Sequence, residues 1–193
     1  MRKHFSTIML VGILVIGLSL LLYPTVSDYW NSLHQSEAVA SYVEKTANLK
    51  EETYQKLLKD AQRYNETLAN EKKVDFNLTK SQIAEYNKLL DVTSTGIMGY
   101  VDIPKIHSTM PIYHGTDDAV LQVAIGHIAG TSLPVGGKNT HSVISGHRGL
   151  PSAKLFTDID RLDVGDTFMI HVLNETLTYE VDQILVVEPD DVS

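Results

Sequence analysis

The sequence predicts an all-β barrel or sandwich that follows a membrane anchor and a helical segment. From residue 97 onwards, short strand-like runs alternate with turns rich in Gly, Pro and Asp, as in domains built from many short strands. Residues 24–96 differ, because their apolar side chains recur at helical spacing. An uncharged run, Phe5–Tyr23, precedes both regions.

The uncharged run, FSTIMLVGILVIGLSLLLY, is long enough to cross a bilayer. At 1.5 Å per residue it extends over about 28 Å, close to the ~30 Å hydrocarbon thickness. Arg2, Lys3 and His4 precede it, so we expect residues 1–4 as a cytoplasmic tail, residues 5–23 as the anchor and the remainder outside the cell. A cleaved signal peptide is the alternative, but the following YPTVSDYW lacks a small-x-small cleavage site.

Residues 24–96 are expected to form extracellular helices. Trp30–Asn70 contains neither Gly nor Pro and predicts one or two amphipathic helices. After a break, Thr79 is placed to cap a short helix over Lys80–Leu90. The simplest interpretation is a spacer that packs against the next domain. The apolar positions expected to face inwards are Tyr54, Leu57, Leu58, Ala61, Tyr64, Leu68, Ile83, Tyr86, Leu89 and Leu90.

Residues 97–193 are expected to form the β domain. GYVDIPKI predicts one strand that ends at Pro104, and MPIYHG predicts a second. A strand over His141–Ser145 precedes a short helix that begins at Pro151. Thr167–Leu173 and Thr176–Val187 predict a hairpin, because apolar and polar residues alternate in the second run.

Composition excludes several classes of function. The formal net charge is −8, so a nucleic-acid-binding role has no basic surface to support it. The chain has no cysteine, which excludes disulfides and cysteine-based zinc sites. Its eight histidines are scattered and form no spaced pair with an acidic partner, so we expect no metal site and no cofactor.

His147 is the candidate catalytic residue, because it follows a strand on a short turn between Gly146 and Gly149. A histidine in this position can serve as an acid or base at the rim of a pocket. A serine hydrolase using Ser142 or Ser145 is one alternative, although the G-x-S-x-G elbow is missing. A purely structural polar role for the imidazole is the other.

The segment Gly99–Asp191 resembles the class C, or pilus-assembling, sortases. The stretches that carry the resemblance follow one another in the family's order. They are GYVDIPKI, MPIYHGTDDAVLQVAIGHIAGTSLPVGG and THSVISGHRGLPSAKLFTDIDRLDVGDTFMIHVLNETLTYEVDQILVVEPDD. The resemblance implies a sortase-type β-barrel at the surface of a Gram-positive membrane, with LPXTG-type pilins or surface proteins as substrates and membrane lipid around the anchor.

The resemblance also implies a chemistry. A cysteine thiolate attacks the Thr carbonyl of the sorting signal, and a lysine amine of another pilin resolves the thioacyl enzyme into an isopeptide bond. The His of S-G-H-R corresponds to His147, the acid/base. The family's cysteine, in T-C-T-P-Y-G, and its catalytic arginine lie further downstream, so Arg148 is not that arginine.

We therefore expect a class C sortase chain that is truncated before its last strands and is inactive alone. The alternative is a non-catalytic, membrane-tethered pseudo-sortase or fragment that binds surface proteins. Class C sortases also carry an Asp-Pro-aromatic lid over the cleft. Asp75 and Phe76 are the candidate lid residues here, although the proline between them is missing. An ordinary acidic loop with one buried Phe is the competing interpretation.

Overall fold

A computed structural model of the chain describes residues 2–70 and 76–188. Its helices are α1 (Arg2–Ala47), α2 (Glu51–Ala69), α3 (Lys80–Tyr86) and the short α4 (Asp118–Leu121). The predicted cap of α3 is confirmed, because the Thr79 side chain accepts a hydrogen bond from the Gln82 amide while Gln82 reaches back to the Thr79 amide. The helix ends at Tyr86, four residues earlier than predicted.

Helix α1 runs without interruption through the apolar run and on to Ala47, with Pro24 inside it. In the described parts of the chain it is the one helix long and apolar enough to cross a membrane. None of its most apolar window is buried, so these side chains find no protein partner. A core helix would bury such a surface, because exposed apolar side chains are unfavourable in water.

Six strands form one curled sheet, a half-barrel that is open between the two strands at its edges. They are β1 (Ile97–Ile103), β2 (Ser108–His114), β3 (Ile125–His127), β4 (Ile144–Ser145), β5 (Thr167–Val172) and β6 (Glu175–Glu180). Their order across the sheet is β4-β3-β2-β1-β5-β6. The β2–β3 pair is parallel and the other pairs are antiparallel.

The helices and the sheet share one hydrophobic core. Ala61 of α2, Tyr86 of α3 and Leu90 are at most 1% exposed and belong to the same cluster as Val101 and Ile112 of the sheet. Residues 24–96 are therefore more than a spacer. They supply part of the core on which the sheet folds.

The prediction of an all-β fold is wrong for the chain as a whole, because α1 alone has 46 residues, more than the six strands together. It holds for the region that begins at β1. The helix predicted from Pro151 is also wrong. Leu155 has a left-handed φ of 38°, and the carbonyl of Ser152 and the amide of Lys154 bond to α1 instead of to a helix of their own.

Two predicted strands are shorter than expected. The pairing of β4 is confined to Ile144–Ser145 because Val143 and His141 donate their amides to the side chains of Thr131 and Ser132. The second strand of the hairpin ends at Glu180, and residues 181–188 form no regular element. The hairpin itself is confirmed, with a left-handed Leu173 in its turn.

Candidate active site

An apolar groove of about 590 Å³ is lined by residues of β1, β4, β5 and β6 and of the connecting loops. Its lining includes Ile144 at one edge and Tyr179 at the other, so the groove spans the opening of the half-barrel. The remaining lining residues come from β1, β5 and the connecting loops: Val101, Ile103, Leu133, Pro134, Gly136, Gly137, Thr140, His141, Ser142, Phe156, Ile159, Leu162, Phe168 and Ile170.

Most residues that line the groove are apolar, and its polar lining residues are neighbours in the chain, from Thr140 to Ser142. Val101 and Ile170 are among the apolar lining residues, and the rings of Phe168 and Tyr179 stack with centroids 5.4 Å apart. His141 and Ser142 belong to the polar part of the lining. The Ser142 hydroxyl is buried and has no hydrogen-bond partner among residues 2–70 and 76–188. An unpaired buried hydroxyl is unfavourable, so the groove beside Ser142 suits a further polar partner.

Both ends of the sheet present unpaired backbone groups. Strands β4 and β6 each have one neighbour in the sheet, so one edge of each faces the gap. Beyond β6, the apolar segment at residues 184–187 is exposed, with Leu185 at 70% and Val186 at 101%. Open edges next to an apolar groove are the features that strand addition satisfies.

His147 is the second residue after β4, and Gly146 between them allows the chain to turn there. A Cβ atom at Gly146 would lie 2.6 Å from Cγ2 of Ile125 and 2.8 Å from Cδ2 of Phe156. These distances are shorter than any side chain tolerates, so the close approach requires glycine. The turn brings His147 next to Phe156, which lines the groove.

The backbone around His147 is fixed by the segment that follows it. The Phe156 amide donates to the His147 carbonyl at 3.1 Å, and the Gly149 amide donates to Oγ1 of Thr157 at 3.0 Å. Arg148 forms an ion pair with Asp160. Both partners are more than half exposed, so the pair orients the loop more than it stabilises the fold.

The imidazole of His147 is exposed and makes no hydrogen bond to any residue that the structure describes. Neither Ser142 nor Ser145 hydrogen-bonds to it, and the serine-hydrolase alternative finds no nucleophile–base pair here. His147 does not itself line the groove, but its carbonyl accepts from the amide of Phe156, which does. An exposed ring on this fixed backbone can donate or accept a proton beside the groove.

Comparison with known proteins shows which family this chain belongs to. A family model described as a sortase domain matches residues 101–193. The crystal structure of sortase C1 from Streptococcus agalactiae is 46% identical in sequence, superimposes with a TM-score of 0.78, and the match covers 81% of this chain and 80% of that one.

The chain belongs to the sortase family.

Further sortases support the assignment. Sortase C from Streptococcus pneumoniae is 40% identical, with a TM-score of 0.71 over 81% of this chain and 78% of that one. A lid mutant of Streptococcus agalactiae sortase C1 is 38% identical, with a TM-score of 0.71 over 80% and 78% of the two chains. Sortase D from Bacillus subtilis (strain 168) is 33% identical over 95 residues, which cover 49% of this chain and 45% of that protein. The match thus spans less than half of this curated relative.

A second histidine of the sortase domain, His127, is buried and was not singled out by its sequence. It is 0% exposed, its Nε2 donates to the Ser132 carbonyl at 2.8 Å, and its Nδ1 lies 2.8 Å from the Tyr86 hydroxyl. Since a carbonyl only accepts, Nε2 carries the proton and Nδ1 accepts from Tyr86. Burial lowers the pKa of His127 from 6.5 to about 4, so the ring is neutral and structural.

The remaining sequence-predicted positions of this sortase are spread over several locations. Pro134 lines the groove and is fully buried, whereas Val135 faces a separate cavity beside α2. Asp75 lies outside the described residues. Phe76 is described, is 65% exposed and does not line the groove.

Asn65 is a positioning residue that its sequence context did not reveal. Its side chain is buried in α2, donates to the Leu133 carbonyl at 2.9 Å and accepts from the Leu133 amide at 2.7 Å. This two-way bond fixes the loop that carries Leu133 and Pro134 into the groove. A polar residue inside an amphipathic helix normally indicates the solvent face, so the pattern gave no signal.

Proposed function

We propose that this chain is the membrane-anchored part of a class C sortase, a cysteine transpeptidase that cleaves LPXTG-like sorting signals and joins pilins to a lysine amine. The observation that carries the proposal is the position of His147, exposed on a fixed turn beside an apolar groove, in a chain 46% identical to sortase C1. The groove is of a size and polarity to hold an extended, largely apolar peptide.

His147 acts as the acid and base in this proposal. When a thiolate attacks the Thr carbonyl, the imidazolium gives its proton to the leaving Gly amine and the thioacyl bond remains. The neutral imidazole then takes a proton from the incoming lysine amine, whose attack forms the isopeptide bond and releases the thiolate. The same ring gives a proton in the first step and takes one back in the second, so no second base is needed.

The thiol itself comes from polypeptide outside these 193 residues, because the chain contains no cysteine. The unpaired edges of β4 and β6, the groove between them and the unpartnered hydroxyl of Ser142 all suit added strands. On this proposal the family's T-C-T-P-Y-G strand and its arginine strand close the barrel there. The chain is therefore inactive by itself.

Helix α1 anchors the enzyme, and the sortase domain lies on the outer face of a Gram-positive membrane. Support comes from the exposed apolar run, the basic residues before it and the absence of any buried face in that stretch. A cleaved signal sequence passes the same length and composition test. The partners on this proposal are LPXTG-type pilins or surface proteins and the lipids around α1, with no nucleic acid.

Asp75 and Phe76 form the lid of the site on this proposal. They lie between α2 and α3, where an acidic residue is followed by an aromatic one. The related sortase C1 of Streptococcus agalactiae has a lid, since a lid mutant of that enzyme has been crystallised. The competing interpretation is an ordinary loop.

The test compares the chain alone with the chain extended by the two missing family strands, using a fluorogenic LPXTG peptide. We expect no turnover from the chain alone and turnover from the extended protein. His147→Ala in the extended protein should lower the rate about 10²- to 10⁴-fold, the usual contribution of a general acid–base group. His34→Ala, an exposed histidine on α1, is the matched control and should change little.

Three outcomes would contradict the proposal or part of it. Turnover by the chain alone above its His147→Ala variant would refute its inactivity. Full activity of the extended His147→Ala protein would refute the role of the ring. Peptide binding to the extended protein, measured by fluorescence anisotropy, without any turnover would favour the pseudo-sortase alternative.

A further inference from the structure

Helix α1 forms hydrogen bonds to the sortase domain at several positions along its length. Asp28 accepts from the Lys154 amide at 2.7 Å, and Asn31 donates to the Ser152 carbonyl at 2.7 Å. Further along, Tyr42 donates to the Met98 carbonyl at 2.9 Å. The described side chains before Ser27 are exposed, so the contacts begin just beyond the apolar run.

These contacts fix the order of the domain's parts along the helix axis. Counting from Tyr23 at 1.5 Å per residue, Asp28 lies about 7.5 Å, Asn31 about 12 Å and Tyr42 about 28 Å beyond the apolar run. Residues 149–154, called here the membrane-facing loop, are therefore at the near end. The turn between β5 and β6 is at the far end, because the Leu173 amide bonds to the Tyr42 hydroxyl.

The near end coincides with the headgroup layer of a bilayer. A hydrocarbon core of ~30 Å within a total of ~40–45 Å leaves about 5–8 Å of headgroups on each side. Tyr29 and Trp30 of α1, 64% and 63% exposed, lie close to this level. Exposed aromatic residues of this kind concentrate at membrane interfaces. Asp28, the partner of Lys154, lies where that layer ends.

We propose that the membrane-facing loop rests on the lipid headgroups of the outer leaflet, held there by α1. The inference depends on the proposed anchor and goes beyond it. It implies that His147, two residues before the loop, and the groove residue Phe156, two residues after it, lie within one loop's length of the bilayer. The opposite end of the half-barrel, at Asn174, faces away from the membrane.

Helix geometry, not charge, sets this contact. Arg148, just before the loop, is paired with Asp160, and the one cation within the loop, Lys154, is followed closely by Asp158. With a chain net charge of −8, attraction to anionic lipids cannot hold the loop down. The contact should therefore form equally well on zwitterionic lipid and in high salt.

Depth-dependent quenching tests the proposal on the full chain. Because the chain has no cysteine, Pro151→Cys, Lys154→Cys and Asn174→Cys each give one unique site for a fluorophore. The proteins are reconstituted in phosphatidylcholine vesicles that contain a lipid with a nitroxide on its headgroup. We expect quenching at positions 151 and 154 to be several-fold stronger than at 174, with no change in 1 M salt.

A flexible Gly-Ser insertion between Val26 and Ser27 provides the matched control, because it leaves the anchor and the domain intact but separates them. Quenching at position 151 should then fall towards the value at 174. Equal quenching at all three sites in vesicles that carry the protein on flotation would overturn this inference while leaving the anchor in place. Loss of the loop's quenching in high salt would overturn it too. Failure of the chain to float would overturn the anchor, and this inference with it.

Discussion

The buried His127 makes the stability of the domain depend on pH between about 6.5 and 4. Its ring is 0% exposed, with Nε2 donating to the Ser132 carbonyl and Nδ1 lying 2.8 Å from the Tyr86 hydroxyl. Burial disfavours the positively charged form of such a ring and lowers its pKa. The nearest titratable neighbours are Tyr86 and His114, and neither supplies a negative charge to stabilise an imidazolium. Acidification should therefore act against the folded state at this residue.

The size of the effect follows from the pKa. Burial lowers the pKa of His127 from 6.5 to about 4 in the folded protein. Between these values the unfolded chain binds the proton and the folded chain does not, so stability is full above about pH 6.5 and falls with pH. With 1.36 kcal/mol per pKa unit the whole loss is about 3 kcal/mol, of which about 2 kcal/mol occurs between pH 7 and pH 5.

Urea unfolding of the full chain in detergent, followed by circular dichroism at pH 7, 6 and 5, measures this loss. The His127→Gln variant is less stable at pH 7, but its stability should vary with pH by about 2 kcal/mol less than that of the unchanged protein over this range. His171→Gln, at a partly exposed histidine, is the matched control and should keep the full slope. Equal slopes for the unchanged protein and His127→Gln would refute the reasoning.

Two further predictions concern α1 and the lid. Tyr42→Phe removes the hydroxyl that satisfies the buried Met98 carbonyl and Leu173 amide, so urea unfolding should show a loss of about 2–4 kcal/mol. A change below ~0.5 kcal/mol would show that these two bonds do not stabilise the domain. Tyr29→Phe, at an exposed tyrosine, is its control. Replacing Asp75 and Phe76 by Ala should speed thiol labelling of a cysteine placed at Ser142, and an unchanged rate would end the lid proposal.

Elements with a repeating pattern or a stop signal were predictable from the sequence. Pro104 ends β1, Thr79 caps α3, and the alternation in β6 marks the hairpin. The inward face predicted for α2 is confirmed at Ala61, which is 0% exposed. These features depend on neighbours in the chain, so local chemistry is enough to specify them.

Contacts between distant parts of the chain were not predictable in this way. Asn65 bonds to a residue 68 positions away, and Tyr86 to one 41 positions away. The segment after Pro151 has a helical start signal, yet two of its backbone groups bond to α1, more than 120 residues earlier, and no α-helix forms. A single 3-10 turn over Ile159–Arg161 is the only helical part of this described segment. At each of these sites tertiary hydrogen bonds outweigh a local preference worth a fraction of a kcal/mol per residue.

The same long-range bonds explain why the helices matter to the candidate site. Loop 131–135 reaches the groove through Leu133 and Pro134, and it is held from α2 by Asn65 and from α3 through the Tyr86–His127 pair. Neither bond touches His147, yet each positions one wall of the groove beside it. A change in how α2 and α3 pack should therefore alter the width of the groove before it alters the turn that carries the imidazole. The helices in this way act on one site through two segments, α1 through the loop after His147 and α2 through the loop that carries Leu133.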